Sequence, residues 1–450
     1  MSILTAFGNY PTKKRKRLDF ISKVCYNVIP KNKEMYAKEG YVTVALSWIL
    51  LSIFGALPFF LSGYIPNFFD AVFETVSGFT TTGASILTDV EALPKSLLFW
   101  RSFTHWLGGM GVLVFLVAII PLFGGSNMFF IKAESPGPSV SKLVPKVRAT
   151  AKILYLLYLV LTVIEIILLI AGGLDVFSAL TFSFGSAGTG GFAIKNSGCA
   201  DYSPYVQNVI SVFMMLFGID FSLYYMLLLG KFRSVLRSDE LKAYLSVILI
   251  ATLTIACNIY GIFHNAADAL RHAYFQVSSI ITTTGYSTAD FDKWPELSKT
   301  ILVGLMFAGA CAGSTGGGIK FLRLIILAKS IIKEIKLAAH PKRTHVMTMN
   351  GRPIEHEVVR AVNVFMAAYL AIFAVSVLII CIDNFDFTTN FTAVLAAFNN
   401  IGPGLAKVGP TQNFSIYSNL STLVLTADML IGRLEIFPIL VLLSPYTWKK

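Results

Sequence analysis

Charge is what this chain has least of. Of its 450 residues, 14% are Asp, Glu, Lys or Arg and 55% are apolar. A soluble domain is nearer a quarter charged, so the composition excludes that class and implies a polytopic membrane protein. Cysteine is sparse as well. Cys25, Cys199, Cys257, Cys311 and Cys381 stand singly, with no CxxC pair, which excludes a disulfide framework and a cysteine-based metal site. The first twenty residues are polar and basic, without the apolar core and small-residue cleavage site of a signal peptide. No coherent set of nucleophile, base and metal ligands is present, which argues against an enzyme, and nothing in the sequence calls for a cofactor. A phosphate loop is absent too. In Gly316-Gly317-Gly318-Ile319-Lys320-Phe321, Ile319 and Phe321 break the GxxxxGK[ST] pattern, and no strand precedes it.

What the chain does have is a repeated stretch. Val76-Ser77-Gly78-Phe79-Thr80-Thr81-Thr82-Gly83 returns as Val277-Ser278-Ser279-Ile280-Ile281-Thr282-Thr283-Thr284-Gly285. Weaker echoes occur at Phe184–Phe192 and Phe398–Gly404. Each lies between two long apolar segments, begins as a short helix and ends in a Gly-containing turn. Non-helical backbone at membrane depth is tolerated only where protein buries it or water reaches it. Four such loops at one axis would present rings of carbonyls, the device by which a potassium filter replaces an ion's hydration shell. Gly83, Gly190, Gly285 and Gly402 would supply the backbone freedom. The expected fold is therefore an all-α polytopic membrane protein. Four pseudo-symmetric repeats of span, pore helix, filter loop and span would surround one central pore.

In order, residues 1–40 form a basic N-terminal segment containing Lys13-Lys14-Arg15-Lys16-Arg17, read as a solvated tail and an anchor near anionic lipid. Repeat 1 occupies 41–122, with a span Tyr41–Phe60, a pore helix Phe68–Thr80 and a span Ser96–Leu122. A connector and repeat 2 occupy 123–229, with elements Ile153–Ile170, Phe177 to about Ser186, and Tyr205–Leu229. Repeat 3, within 230–337, has Tyr244–Phe263, Ala267–Ile281 and a segment from Leu297. Repeat 4, within 338–450, has Val362–Ile382, Thr388 to about Asn399, and Ile416–Leu443.

The third repeat's last segment contains Gly309-Ala310-Cys311-Ala312-Gly313-Ser314-Thr315-Gly316-Gly317-Gly318-Ile319-Lys320. Five glycines in ten residues hold a helix poorly, at about 1 kcal/mol each relative to Ala. This predicts a broken helix under the pore, acting as a gate with a cation nearby. Asp220 and Asp428 are intramembrane carboxylates, each open to a functional or a structural reading. Arg433 and Glu435 are two apart and point to different faces, so Arg433 faces the pore axis or the plug, or joins a cross-helix salt bridge. His105 reads as a satisfied interfacial side chain.

With the N-terminus inside, 27 of the 37 Lys and Arg fall in inner segments. That follows the positive-inside rule and removes nucleic acid as the reason for the net charge of +12. It places both termini in the cytoplasm and lets every filter loop enter from outside.

Several separated motifs, Trp100–Gly111, Ala133–Pro138, Gly309–Lys320, Asn400–Gly404 and Gly432–Phe437, resemble the TrkH/TrkG branch of the Trk/Ktr/HKT superfamily, bacterial potassium uptake proteins of the inner membrane. The resemblance spans roughly residues 40–448. It implies potassium, as transported substrate, bound to backbone oxygens of Thr81-Thr82-Gly83, Gly188-Thr189-Gly190, Thr283-Thr284-Gly285 and Asn400-Ile401-Gly402. In the second repeat Gly190 and Gly191 compete, and the Thr-Gly match selects Gly190. The resemblance also implies a gate at Gly309–Lys320, with Gly313, Gly316, Gly317, Gly318 and Lys320 contacted by Arg433. It further implies a homodimer with a cytosolic nucleotide-binding regulatory subunit of the TrkA type. Members of this branch usually carry two further helices before the first repeat, where this sequence has about 40 polar residues. The alternative mechanism is a proton- or sodium-coupled potassium symporter using Asp220 or Asp428.

Overall fold

The computed structural model describes residues 37–109, 111, 147–342 and 346–449. The basic run Lys13–Arg17, most of the connector before residue 147 and the far half of the predicted Ser96–Leu122 span lie outside them.

The first helix of each repeat is α1 (Ala37–Leu61), α4 (Val147–Ala171), α8 (Asp239–Phe263) and α12 (His356–Ile380). All four are long and apolar enough to cross a membrane, and only 22–39% of their apolar windows is buried. Large apolar side chains such as Phe54 on α1, Leu249 and Ile250 on α8 and Leu378 on α12 face outward. In a bilayer that outward face is the solvated one.

The short helices are α2 (Phe68–Phe79), α5 (Val176–Gly188), α9 (Ala266–Ile281) and α13 (Phe387–Phe398). Their starts obey one rule. Asn67, Asp175, Asn265 and Asp386 each place a side-chain oxygen on a free amide of the first turn, the standard role of Asn and Asp at an N-cap. Their C-terminal halves are buried almost throughout.

Each short helix packs on the first helix of its own repeat and on the second span of the preceding repeat. The second spans are α3 (Lys95–Gly109), α6 (Pro204–Phe217), α10 (Glu296–Ala308) and α14 (Asn419–Arg433). Thus α3 meets α5, α6 meets α9, α10 meets α13, and α14 returns to α2. The circle closes. The loops beyond the short helices repeat the circuit in hydrogen bonds. Val90 N–H donates to Asn196 (2.9 Å), Cys199 N–H to Ser287 O (2.9 Å), Ala406 N–H to Asp292 (3.1 Å) and Phe414 N–H to Ser85 O (2.8 Å).

One expectation is corrected. The sequence reading breaks only the third second span, yet α6 also ends at Phe217. It restarts as α7 (Phe221–Leu228) after a 90° bend. The helix α14 ends at Arg433 and restarts as α15 (Phe437–Leu443). Asp220 caps the restart in the second repeat by accepting from Ser222 N–H at 2.8 Å. In the fourth repeat, Glu435 and Ile436 take positive φ (57° and 71°), which ends a right-handed helix. The third repeat restarts as α11 (Phe321–Ala339).

Candidate functional site

The four short helices end alike. Thr81, Thr189, Thr283 and Asn400 all sit in the left-handed region, at φ 56–59°. The amide one residue on reaches back five residues: Thr82 to Ser77 O, Gly190 to Gly185 O, Thr284 to Ser279 O and Ile401 to Ala396 O, all at 2.8–2.9 Å. Together with the bonds that Thr81, Thr189, Thr283 and Asn400 make three residues back, at 3.0–3.2 Å, this is a Schellman ending, made four times.

Two residues beyond each left-handed residue comes a glycine with positive φ: Gly83 (80°), Gly191 (76°), Gly285 (86°) and Gly402 (99°). The register in the second repeat is therefore Thr189-Gly190-Gly191. The predicted triplet Gly188-Thr189-Gly190 is one residue early. Gly190 lacks a positive φ and aligns with Thr82, Thr284 and Ile401. Two adjacent glycines made the Thr-Gly match ambiguous; the backbone resolves it.

These glycines join the loops. A β-carbon on Gly83 would run into the carbonyl oxygen of Gly190, on Gly191 into that of Thr284, and on Gly285 into that of Ile401. On Gly402 it would lie 2.8 Å from the oxygen of Thr82. Every glycine thus backs onto the carbonyl of the next repeat, and Thr82, Gly190, Thr284 and Ile401 contribute a closed ring of four oxygens. The helix C-termini behind the ring carry the negative end of their dipoles. A cavity of about 150 Å³ opens beside it, lined by Gly83, Gly191, Gly285 and Gly402 from all four repeats.

The loop Gly309–Lys320 packs against this ring. Gly317 N–H donates to Thr283 Oγ1 at 2.6 Å, and a β-carbon on Gly317 would sit 2.5 Å from Asn399 O. Gly316 packs beside Thr282 O and accepts from Lys320 Nζ. Gly313 lies against the Asp220 carboxylate, and its oxygen accepts from Phe221 N–H at 3.2 Å. Gly318 folds back onto Gly309. Glu240, on α8, accepts from Ala312 N–H at 2.7 Å; the sequence reading missed it, because a glutamate at the first turn of a span reads as a helix start.

Arg433 ties loop to scaffold. One nitrogen donates to Thr315 O at 2.9 Å, and the other to Gly108 O and Gly109 O, the last at 3.1 Å. Its neighbour Glu435 makes a cross-helix salt bridge of its own, meeting Arg323 at 2.5 Å. Asp428 stands apart: buried, it accepts from Ser376 on α12 at 2.7 Å.

His105 is not interfacial. It is fully buried, with its ring against Phe192 at 4.1 Å between centroids. Behind the ring of loops lies a buried ion pair, Arg101 with Glu74 at 2.5 Å. Glu74 also holds Ser85 Oγ and Ile86 N–H. A glutamate inside a short helix carries no sequence signature that separates it from a surface residue.

The chain matches the family of cation transport proteins designated TrkH over residues 19–262 and 252–449. It belongs to that family. A Trk system potassium uptake protein TrkH of Salmonella typhimurium is 37% identical over 426 residues, covering 93% of this chain and 87% of that protein. TrkG of Escherichia coli is 30% identical and covers 92% and 86%. The crystal structure of the potassium transporter TrkH from Vibrio parahaemolyticus superposes with a TM-score of 0.83 at 32% identity, covering 96% of this chain and 91% of that one. The TrkH family is one of membrane transporters, and this chain is a membrane protein with its fold.

Proposed function

We propose that this TrkH-family protein takes up potassium through the ring of four loops. The ring is the filter, and Thr82, Gly190, Thr284 and Ile401 offer carbonyl oxygens in place of the ion's water. Thr81, Thr189, Thr283 and Asn400 set the turn, and Gly83, Gly191, Gly285 and Gly402 let adjacent repeats close. The single observation that carries this reading is the closure itself, with each glycine set against the next repeat's carbonyl. Four converging helix C-termini add a field that favours a cation. The relatives named potassium uptake proteins support the choice of ion.

The loop Gly309–Lys320 is the gate, held shut by Arg433 through Thr315 and by Thr283 through Gly317. The inside-negative potential drives entry, worth about 2.3 kcal/mol per charge per 100 mV. Asp220 caps a helix and Asp428 bonds to Ser376; neither lines the ring, which favours a channel-like path over coupling through either carboxylate. The protein would lie in the bacterial inner membrane with both termini cytoplasmic, as the Lys/Arg bias supports. The relatives' assignment to a Trk system supports a protein that works with further components, here taken to be a second copy of the chain and a TrkA-type regulatory subunit.

The test is purified protein in liposomes, with potassium flux followed under an imposed voltage and, separately, under a pH gradient with voltage clamped. Flux that follows voltage alone is expected. Potassium driven by the pH gradient would return Asp220 or Asp428 to the mechanism.

A further inference from the structure

Three of the four ring carbonyls belong to residues with side chains: Thr82, Thr284 and Ile401. The fourth belongs to Gly190. The backbone does not require a glycine there, since Gly190 lacks a positive φ and makes the same amide bond as its three counterparts. What excludes a side chain is His105. A β-carbon on Gly190 would clash with the imidazole, its three nearest neighbours being Nδ1, Cγ and Cε1 of that ring.

The other loops are braced by their own polar side chains. Thr80 and Thr82 share a hydroxyl–hydroxyl bond at 2.8 Å, and Thr282 and Thr284 share its copy, also at 2.8 Å. In the fourth repeat Asn399 bonds to Tyr369, and Asn400 bonds to Thr82 and to Met429 O. The second-repeat counterparts of the threonine pair are Gly188 and Gly190, which have no side chain to pair; Thr189 Oγ1 donates to the adjacent Gly188 O at 2.6 Å. Instead the ring of His105, from the preceding repeat, fills the place. It is held in turn: its face meets Phe192, Arg101 lies 3.6 Å from the centre of Phe192, and Arg101 is fixed by Glu74 and by Ala193 O.

We propose that His105 is the positioning residue of the second filter loop, holding the Gly190 carbonyl in the ring by filling the volume a side chain occupies in the other three repeats. This rests on the filter reading above.

The test is a double-mutant cycle on full-length protein in liposomes, reading the potassium-to-sodium flux ratio alongside melting temperature. His105→Ala empties the site and Gly190→Ala overfills it, so each single change lowers the ratio. In the double variant the new methyl enters the vacated space, and the ratio recovers by roughly tenfold over Gly190→Ala. If Gly190→Ala does not fold, the double variant is compared with His105→Ala and is expected to be the more selective. A double variant no better than His105→Ala, or a Gly190→Ala protein as selective as the parent, overturns the proposal. Gly83→Ala separates the two readings, because its clash is with the Gly190 backbone and His105→Ala offers no relief. Loss of selectivity in both backgrounds is expected; a selective Gly83→Ala protein overturns the filter reading and this one with it.

Discussion

Arg433→Gln tests the proposed gate. Among the described residues the guanidinium donates to Thr315 O, in the loop, and to Gly108 O and Gly109 O, in α3. A hydrogen bond from a charged donor contributes about 1.5–3 kcal/mol. Losing the one to Thr315 shifts the closed-to-open ratio of the loop by roughly tenfold to 150-fold. The remaining anchors, Gly317 to Thr283 and Ala312 to Glu240, still favour the closed arrangement, so the shift appears as higher basal flux and not as an unfolded loop. Arg433→Lys should lie between, since an ammonium keeps the charge but cannot span two elements with a planar fork. The assay is initial potassium flux into liposomes at fixed voltage, normalised to protein that remains monodisperse. Flux equal to the parent in a folded Arg433→Gln protein would refute the reasoning, because the guanidinium tie between Thr315 and α3 would then hold nothing shut.

Three other outcomes follow. Gly83→Ser and Gly402→Ser should each degrade potassium selectivity, through positive φ and a side chain driven at the neighbouring carbonyl; unchanged ratios in both, by bi-ionic flux, would remove the filter assignment. Shortening the Gly313–Gly318 run should raise flux, because it withdraws Gly317 from Thr283; unaltered flux in liposomes removes its gating role. Glu74→Gln should destabilise the protein by about 3–5 kcal/mol by stranding Arg101 in a buried site, whereas replacing both partners with apolar residues costs far less. Thermal melting of the detergent-solubilised variants checks this, and equal melting points for single and double variants would contradict it.

The short helices were legible almost to the residue. The pattern predicts Phe68–Thr80 and Ala267–Ile281, and the helices run Phe68–Phe79 and Ala266–Ile281. Apolar runs preceded by Asn or Asp and closed by Thr-Thr-Gly leave few alternatives. The register at Gly190 and Gly191 was not legible, because two glycines in a row conceal which has positive φ. Counting two residues on from the left-handed position finds it, but that position is itself known only from the structure. The break after Arg433 is hidden because Leu434-Glu435-Ile436 contains no glycine or proline, whereas the break after Phe217 begins at Gly218, a lone glycine of a kind that many apolar helices carry without breaking. Pro438, at the start of α15, was the available signal for a helix beginning there. The contacts of Arg433 were half legible. Its spacing from Glu435 excluded a mutual pair, but its reach to α3 depends on the closed circle of repeats, which no local pattern encodes.

That circle has a genetic consequence. In a filter built from four identical chains, any substitution arrives in four copies and must suit every position at once. Here the ring closes within one polypeptide, so a codon alters one quadrant alone. The second quadrant can dispense with its threonine pair because a histidine from the first stands beside it, and the fourth can use two asparagines. The four ring oxygens stay equivalent while the side chains behind them diverge. A change made behind one quadrant is therefore answered by its neighbour, and transplanting one loop sequence into another position fails unless the adjoining repeat moves with it.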